Sequence, residues 1–177
     1  MSGYCDIAPG HEFHGPYHDR EYGFPTEDET VLFERLSLEI MQAGLSWLIV
    51  LRKRQAFNAA FAGFDPKRVA KFGDKEIARL LADERIIRNR LKIDAIIENA
   101  RRLPALAKEH GSFAGWIAAH HPLGKDEWVK LFRKTFKFTG PEVVNEFLMS
   151  IGYLPGAHRA DCPAQKRINK LKPPCAV

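Results

Sequence analysis

The chain has 177 residues, 45% of them hydrophobic and 28% charged, with Lys and Arg outnumbering Asp and Glu by 27 to 22 for a formal net charge of +5. This balance suits one compact domain with a substantial core and excludes a fibrous or low-complexity chain, and no run of about 20 apolar residues is present that could span a bilayer. The positive charge fits a polyanionic partner without demanding one. The N-terminus, with Asp6, His11, Glu12 and His14, lacks the basic start and apolar middle of a secretory signal, so a cytoplasmic location is expected. An odd set of three cysteines, Cys5, Cys162 and Cys175, argues against a disulfide framework.

The segment before Thr26 is rich in His, Pro, Gly and Tyr, shows no helical periodicity and reads as an irregular loop. Thr26 with Glu29 then forms a capping-box pattern, and Leu32, Leu36, Ile40 and Ala43 recur at helical spacing, predicting a helix from about Asp28 to Ala43. Gly44 can take the left-handed conformation that ends it, and Ser46 suits the N-cap of a second helix carrying Leu48, Leu51, Phe57 and Phe61. Glu39 and Trp47 thereby flank a helical corner. On periodicity alone a solvated carboxylate and a core tryptophan would account for them.

Asp65-Pro66 is a strong helix start, with Val69 and Phe72 inward. Helices are predicted from Asp74, with Ile77, Leu80 and Leu81, and from about Asn89 to near Pro104, with Leu91, Ile93, Ile96, Ile97, Ala100 and Leu103. The connection Asp83 to Arg90 makes these a candidate helix-hairpin-helix, in which turn amides and a helix N-terminus would meet a phosphate; without glycines in the turn, the residues themselves favour an ordinary helical hairpin with a basic solvated face. Further helices are expected at Ser112–His120, at Glu127–Phe136 with a basic side of Lys130, Arg133, Lys134 and Lys137, and from Gly140-Pro141 to Gly152. The adjacent His120 and His121 look like a helix terminus rather than a metal site. From about residue 163 the Pro- and Lys-rich sequence reads as a mobile tail. No strand-like alternation has any length, so an all-α fold is predicted, as a single domain over 1–177.

Cys5 and His18 near one end and His158 and Cys162 near the other supply two thiolates and two imidazoles, the usual ligand set of a structural zinc site. Only the last two are closely spaced, and a core cysteine with surface histidines would give the same composition.

Several of these segments occur together in a specific order: Cys5; Tyr17-His18-Asp19-Arg20-Glu21-Tyr22-Gly23-Phe24-Pro25; Leu38-Glu39 through Ala43-Gly44-Leu45-Ser46-Trp47; Phe136-Lys137-Phe138-Thr139-Gly140; and His158 to Cys162. In order and separation they resemble the 3-methyladenine DNA glycosylase I family, from residue 5 to about 165. The resemblance implies a helix-hairpin-helix-superfamily fold and one structural zinc ion joining the terminal segments through Cys5, His18, His158 and Cys162. It further implies that Glu39, Tyr17 and Trp47 line a pocket for a methylated adenine extruded from double-stranded DNA, with Gly44 and Leu45 near the gap left behind. His14 and Tyr22 stand where the family commonly carries other aromatic residues, so both are candidate base contacts. The implied activity is monofunctional excision of 3-methyladenine in base excision repair, with Glu39 orienting the base and the backbone held by Arg88, Arg90, Lys92 and Lys137.

The residue types suit that chemistry. A base alkylated at N3 is cationic and its glycosidic bond is already weakened, so aromatic faces can stack on it and a carboxylate can hydrogen-bond its edge. The chain departs from the family pattern at Ile7, His14 and Tyr22, and at Arg85 and Leu91, where the family typically has glycine. These departures keep two further readings open: a non-catalytic zinc-stabilised DNA-binding homologue, and a glycosylase for a different modified base.

Overall fold

A computed structural model describes residues 3–176, and among these the regular structure is entirely helical. The first long helix, Glu29–Gln42 (α3), starts where the Asp28 carboxylate accepts the Val31 N–H at 2.9 Å. The expected Thr26/Glu29 box does not form. Glu29 instead reaches across the fold and accepts the Phe113 and Ala114 N–H groups at 2.9 and 3.0 Å, placing its charge at the positive end of helix Phe113–His120 (α8). Helix α3 is buried on nearly all sides from Leu32 to Met41 and packs against helices Trp47–Ala60 (α4), Arg90–His110 (α7) and Pro141–Ser150 (α10) as well as α8. It is the central rod of the molecule.

Around it, Pro66–Val69 (α5) and Asp74–Ala82 (α6) pack on α7, α7 packs on α8, and Lys125–Thr135 (α9) packs on α10. The main core is an aromatic-rich cluster in which Phe113 stacks on Phe147 at 5.9 Å and Phe61 on Phe64 at 5.4 Å, and a second, smaller one gathers Tyr17, Tyr22 and Leu51. The caps read from sequence at Ser46 and Asp65 hold, and Asn89 and Ser112, where helices are expected to begin, also accept a first-turn N–H.

Three segments differ from expectation. The N-terminal stretch contains two short helices, Tyr4–Ile7 (α1) and His14–Arg20 (α2); tertiary burial of His14, Gly15, Tyr17 and His18 sustains a sequence whose Gly15-Pro16 pair has poor intrinsic propensity. Helix α7 continues past Pro104 to His110. Proline removes only one ladder donor, and the inward row Ile93, Ile96, Ile97, Ala100 and Leu103 secures the helix against its neighbours. The expected mobile tail contains a helix, Pro163–Lys170 (α11), which buries Ala164 and Ile168 and packs on α2, with Arg167 donating to the Asp19 carbonyl.

Candidate functional site

Gly44, at φ +80°, turns the chain sharply between α3 and α4, and Gln42 Nε2 donates to the Leu45 carbonyl at 2.7 Å to close the corner. Lys92 reinforces it from behind. Its Nζ donates to the Met41 and Ala43 carbonyls at 2.9 and 2.6 Å, satisfying oxygens that the end of α3 would leave bare. Sequence reasoning assigned Lys92 to a DNA phosphate; buried and twice bonded, it is a brace for the corner instead. Gly44 and Leu45 themselves are exposed at the tip, as a loop that meets a macromolecule requires.

Inside the corner lies a cavity of 560 Å³ lined by Tyr4, Tyr17, Tyr22, Glu39, Gln42, Ala43, Gly44, Trp47, Glu142 and Glu146. Four of the five residues expected to meet a base, Glu39, Tyr17, Trp47 and Tyr22, come together here. His14 does not line the cavity: it sits behind Tyr4, 3.2 Å from the tyrosine hydroxyl, and its backbone N–H is held by His11 Nδ1. Tyr4, Glu142 and Glu146 are lining residues that sequence reasoning missed. They stand far apart along the chain, and no spacing or periodicity points to them.

The cavity's polar groups are notably unpaired. The Tyr17 hydroxyl and the Trp47 indole nitrogen are buried without a hydrogen-bond partner, and the Glu39 carboxylate makes no hydrogen bond or ion pair among the described residues. Burial, with the nearby Glu146 charge adding to it and Arg35 opposing, holds the Glu39 carboxyl well above the usual carboxylate range. Burial likewise pushes the Tyr17 phenol up. The Tyr17 ring has the Arg35 and Arg54 guanidiniums 5.2 and 6.0 Å from its centroid, and these are fixed by Glu21 and Glu34 through ion pairs of 2.7 to 3.1 Å. Tyr17 and Trp47 touch each other, with centroids 5.1 Å apart and planes at 57°. A base between parallel rings needs roughly 7 Å, two van der Waals contacts. It therefore enters between them only if Trp47 swings away, and otherwise stacks on one ring.

Beside the cavity, the four predicted metal ligands converge with all ligand atoms within 4.8 Å of one another. Cys5 Sγ to His158 Nδ1, Cys162 Sγ to His158 Nδ1 and Cys162 Sγ to His18 Nε2 are each 3.7 Å, and His158 Nδ1 to His18 Nε2 is 3.2 Å. Ligand bonds of about 2.0–2.3 Å in a tetrahedron give edges of about 3.3–3.8 Å, so the spacing fits zinc. The outer nitrogens are also occupied in the manner of metal-bound imidazoles: His18 Nδ1 pairs with Asp19 Oδ1 at 2.7 Å, and His158 Nε2 lies 2.6 Å from the Tyr22 carbonyl. That last bond ties the cluster directly to a wall of the cavity.

Of the expected DNA contacts, Arg88, Arg90 and Lys137 are exposed. Arg90 pairs with Asp94 at 2.8 Å, whereas Arg88 makes no hydrogen bond or ion pair among the described residues. No described helix is long and apolar enough to cross a membrane.

A family model described as methyladenine glycosylase matches residues 8–129. The DNA-3-methyladenine glycosylase of Haemophilus influenzae is 36% identical over 84% of this chain and 90% of its own length, and DNA-3-methyladenine glycosylase 1 of Escherichia coli is 36% identical over 77% and 83%. Among solved structures, a single-residue variant of 3-methyladenine DNA glycosylase I in complex with 3-methyladenine superposes with a TM-score of 0.82 at 29% identity, covering 93% of this chain and 98% of that one.

Proposed function

Since the chain belongs to the methyladenine glycosylase family, we propose that it excises 3-methyladenine from alkylated double-stranded DNA by hydrolysis of the N-glycosidic bond. The observation that carries this reading is the cavity in which the Glu39 carboxylate, the Tyr17 hydroxyl and the Trp47 N–H are all left without partners. Buried polar groups without a protein partner are available to a bound ligand, and a purine edge offers both donors and acceptors.

The target base is turned out of the helix into this cavity, where an aromatic face stacks on it and Glu39 orients it. Its positive charge draws the glycosidic electron pair onto the leaving base, which departs neutral; water adds its oxygen to the sugar C1′ and loses a proton, leaving an abasic site. No lysine lines the cavity, in keeping with hydrolysis rather than Schiff-base chemistry. Gly44 and Leu45 at the exposed corner fill the gap in the duplex. The connection between α6 and α7 serves as the helix-hairpin-helix, with Arg88, Arg90 and Lys137 against the backbone.

Cys5, His18, His158 and Cys162 hold one structural zinc ion in this reading, which clamps the segment before α11 to the N-terminal helices and, through the Tyr22 carbonyl, steadies the cavity wall. The thiol ligands suit a reducing cytoplasm. Release of free 3-methyladenine from methylated duplex DNA tests the proposal. Retained DNA binding with no base released would leave a non-catalytic homologue as the answer.

A further inference from the structure

Glu39 is not the cavity's one acid. On α10, more than a hundred residues further along the chain, Glu146 also lines the pocket, half-buried, with its Oε2 accepting the Tyr22 hydroxyl at 3.0 Å. Tyr22 is in turn stacked on Tyr17 at 5.6 Å and held at its carbonyl by His158, so the bond fixes Glu146 against a wall whose position is itself determined. Among the described residues no arginine or lysine forms an ion pair with Glu146, although the Lys125 charge is felt there. Burial and, after it, the Glu146 charge across the pocket raise the Glu39 carboxyl, and burial, with the charge of the exposed lining residue Glu142 adding to it, raises that of Glu146. Two carboxylates facing one low-dielectric space repel each other, and a cation placed between them relieves that repulsion while a neutral base of the same shape does not.

We propose that Glu146, positioned by the Tyr22 hydroxyl, is a specificity-determining residue that works with Glu39 to select positively charged N-alkylated purines over neutral ones. The inference rests on the cavity being the base pocket, as argued above. It gives the departure at Tyr22 a function, since a residue at this position supplies the hydroxyl that holds the second carboxylate. Selection is then made on the charge that distinguishes a damaged base from a normal one, in addition to shape.

The test is equilibrium binding of two free ligands under slightly alkaline conditions: the permanently cationic 3,9-dimethyladeninium and neutral 3-methyladenine. Wild type should prefer the cation. Glu146→Gln, which keeps an acceptor for the Tyr22 hydroxyl but removes the charge, should lose about tenfold of that preference, with the neutral ligand's affinity unchanged. Glu146→Asp should retain most of it, and unchanged melting temperatures for both variants establish that the fold is intact. Equal weakening of both ligands by Glu146→Gln, or no change in either, would overturn the inference. Base release from methylated duplex DNA is measured in parallel: a wild type that shows the Glu146-dependent cation preference but releases no base sinks the glycosylase reading and leaves the charge selection standing.

Discussion

The cavity and the Cys/His cluster share a wall at Tyr22, yet they are built on opposite plans. In the cluster the polar atoms answer one another: the four ligand atoms lie within 4.8 Å of one another, and each outer imidazole nitrogen has a carboxylate or carbonyl partner. In the cavity, the Tyr17 hydroxyl and the Trp47 N–H have no hydrogen-bond partner among the described residues, and the Glu39 carboxylate lines the same space. A closed set of ligands suits a permanent ion that contributes folding energy; an open set suits a guest that arrives, reacts and leaves. With the proposed ion in place, stability would reside beside the pocket, and the pocket's polar groups would remain available to a guest.

The comparison breaks most visibly at the cluster. Structural zinc contributes about 10 kcal/mol of binding free energy that is also folding free energy. His158→Ala should therefore lose the metal and several kcal/mol of stability, measured by elemental analysis and thermal unfolding, and should loosen the Tyr22 wall as well. Stoichiometric zinc absent from the wild type would remove the clamp. Glu39→Gln should behave in the opposite sense, losing on the order of 10²-fold in base release while folding more stably. Because the Glu39 carboxyl is raised in the folded state above its ordinary 4.5, the unfolded chain releases that proton first as pH rises, and stability falls from about that pH upward. The melting-temperature advantage of Glu39→Gln should thus be absent below pH 4.5 and grow above it. A variant no more stable than wild type near neutrality would mean that the Glu39 charge is not strained.

Most of the helical frame was legible because local chemistry and tertiary packing agree there. Asp28, Ser46, Asp65, Asn89 and Ser112 are each followed by a periodic apolar row, and each caps a helix. The corner from Glu39 to Trp47 was readable as a turn, while its role as a pocket came from the family resemblance. Helix α2 was hidden because its Gly15-Pro16 opening has poor propensity, and α11 because its inward face amounts to Ala164 and Ile168 in a charged background. Tyr4 and Glu146 carried no periodic or spacing signal; only the three-dimensional meeting of α1 and α10 reveals them. Lys92 misled for a different reason. A lysine at a hairpin suggests phosphate, and nothing in the sequence tells that its ammonium turns inward to the end of α3.

That brace sharpens the comparison on the cavity side. Lys92→Met keeps the aliphatic stem but leaves the Met41 and Ala43 carbonyls without their charged donor, which should cost about 2–3 kcal/mol in chemical unfolding. Since the bonds hold the corner rather than the cluster, zinc content should be unchanged. Loss of metal together with stability would show that the two regions are not separate.

The smallest effects concern the exposed arginines at the start of α7, where stability and binding should part company. Arg90 and Asp94 are both largely exposed, so their pair contributes about 0.3–0.5 kcal/mol, and Arg90→Ala should be nearly silent in unfolding. Among the described residues Arg88 has no carboxylate partner to abandon before meeting a phosphate. Arg88→Ala should therefore reduce the slope of log affinity for duplex DNA against log salt by about 0.9, the value for one lost phosphate contact, whereas Arg90→Ala should reduce it by less because Asp94 already neutralises part of its charge. Equal slopes for Arg88→Ala and wild type would move the DNA path away from the α6–α7 connection and leave the exposed Gly44–Leu45 corner and Lys137 to define it.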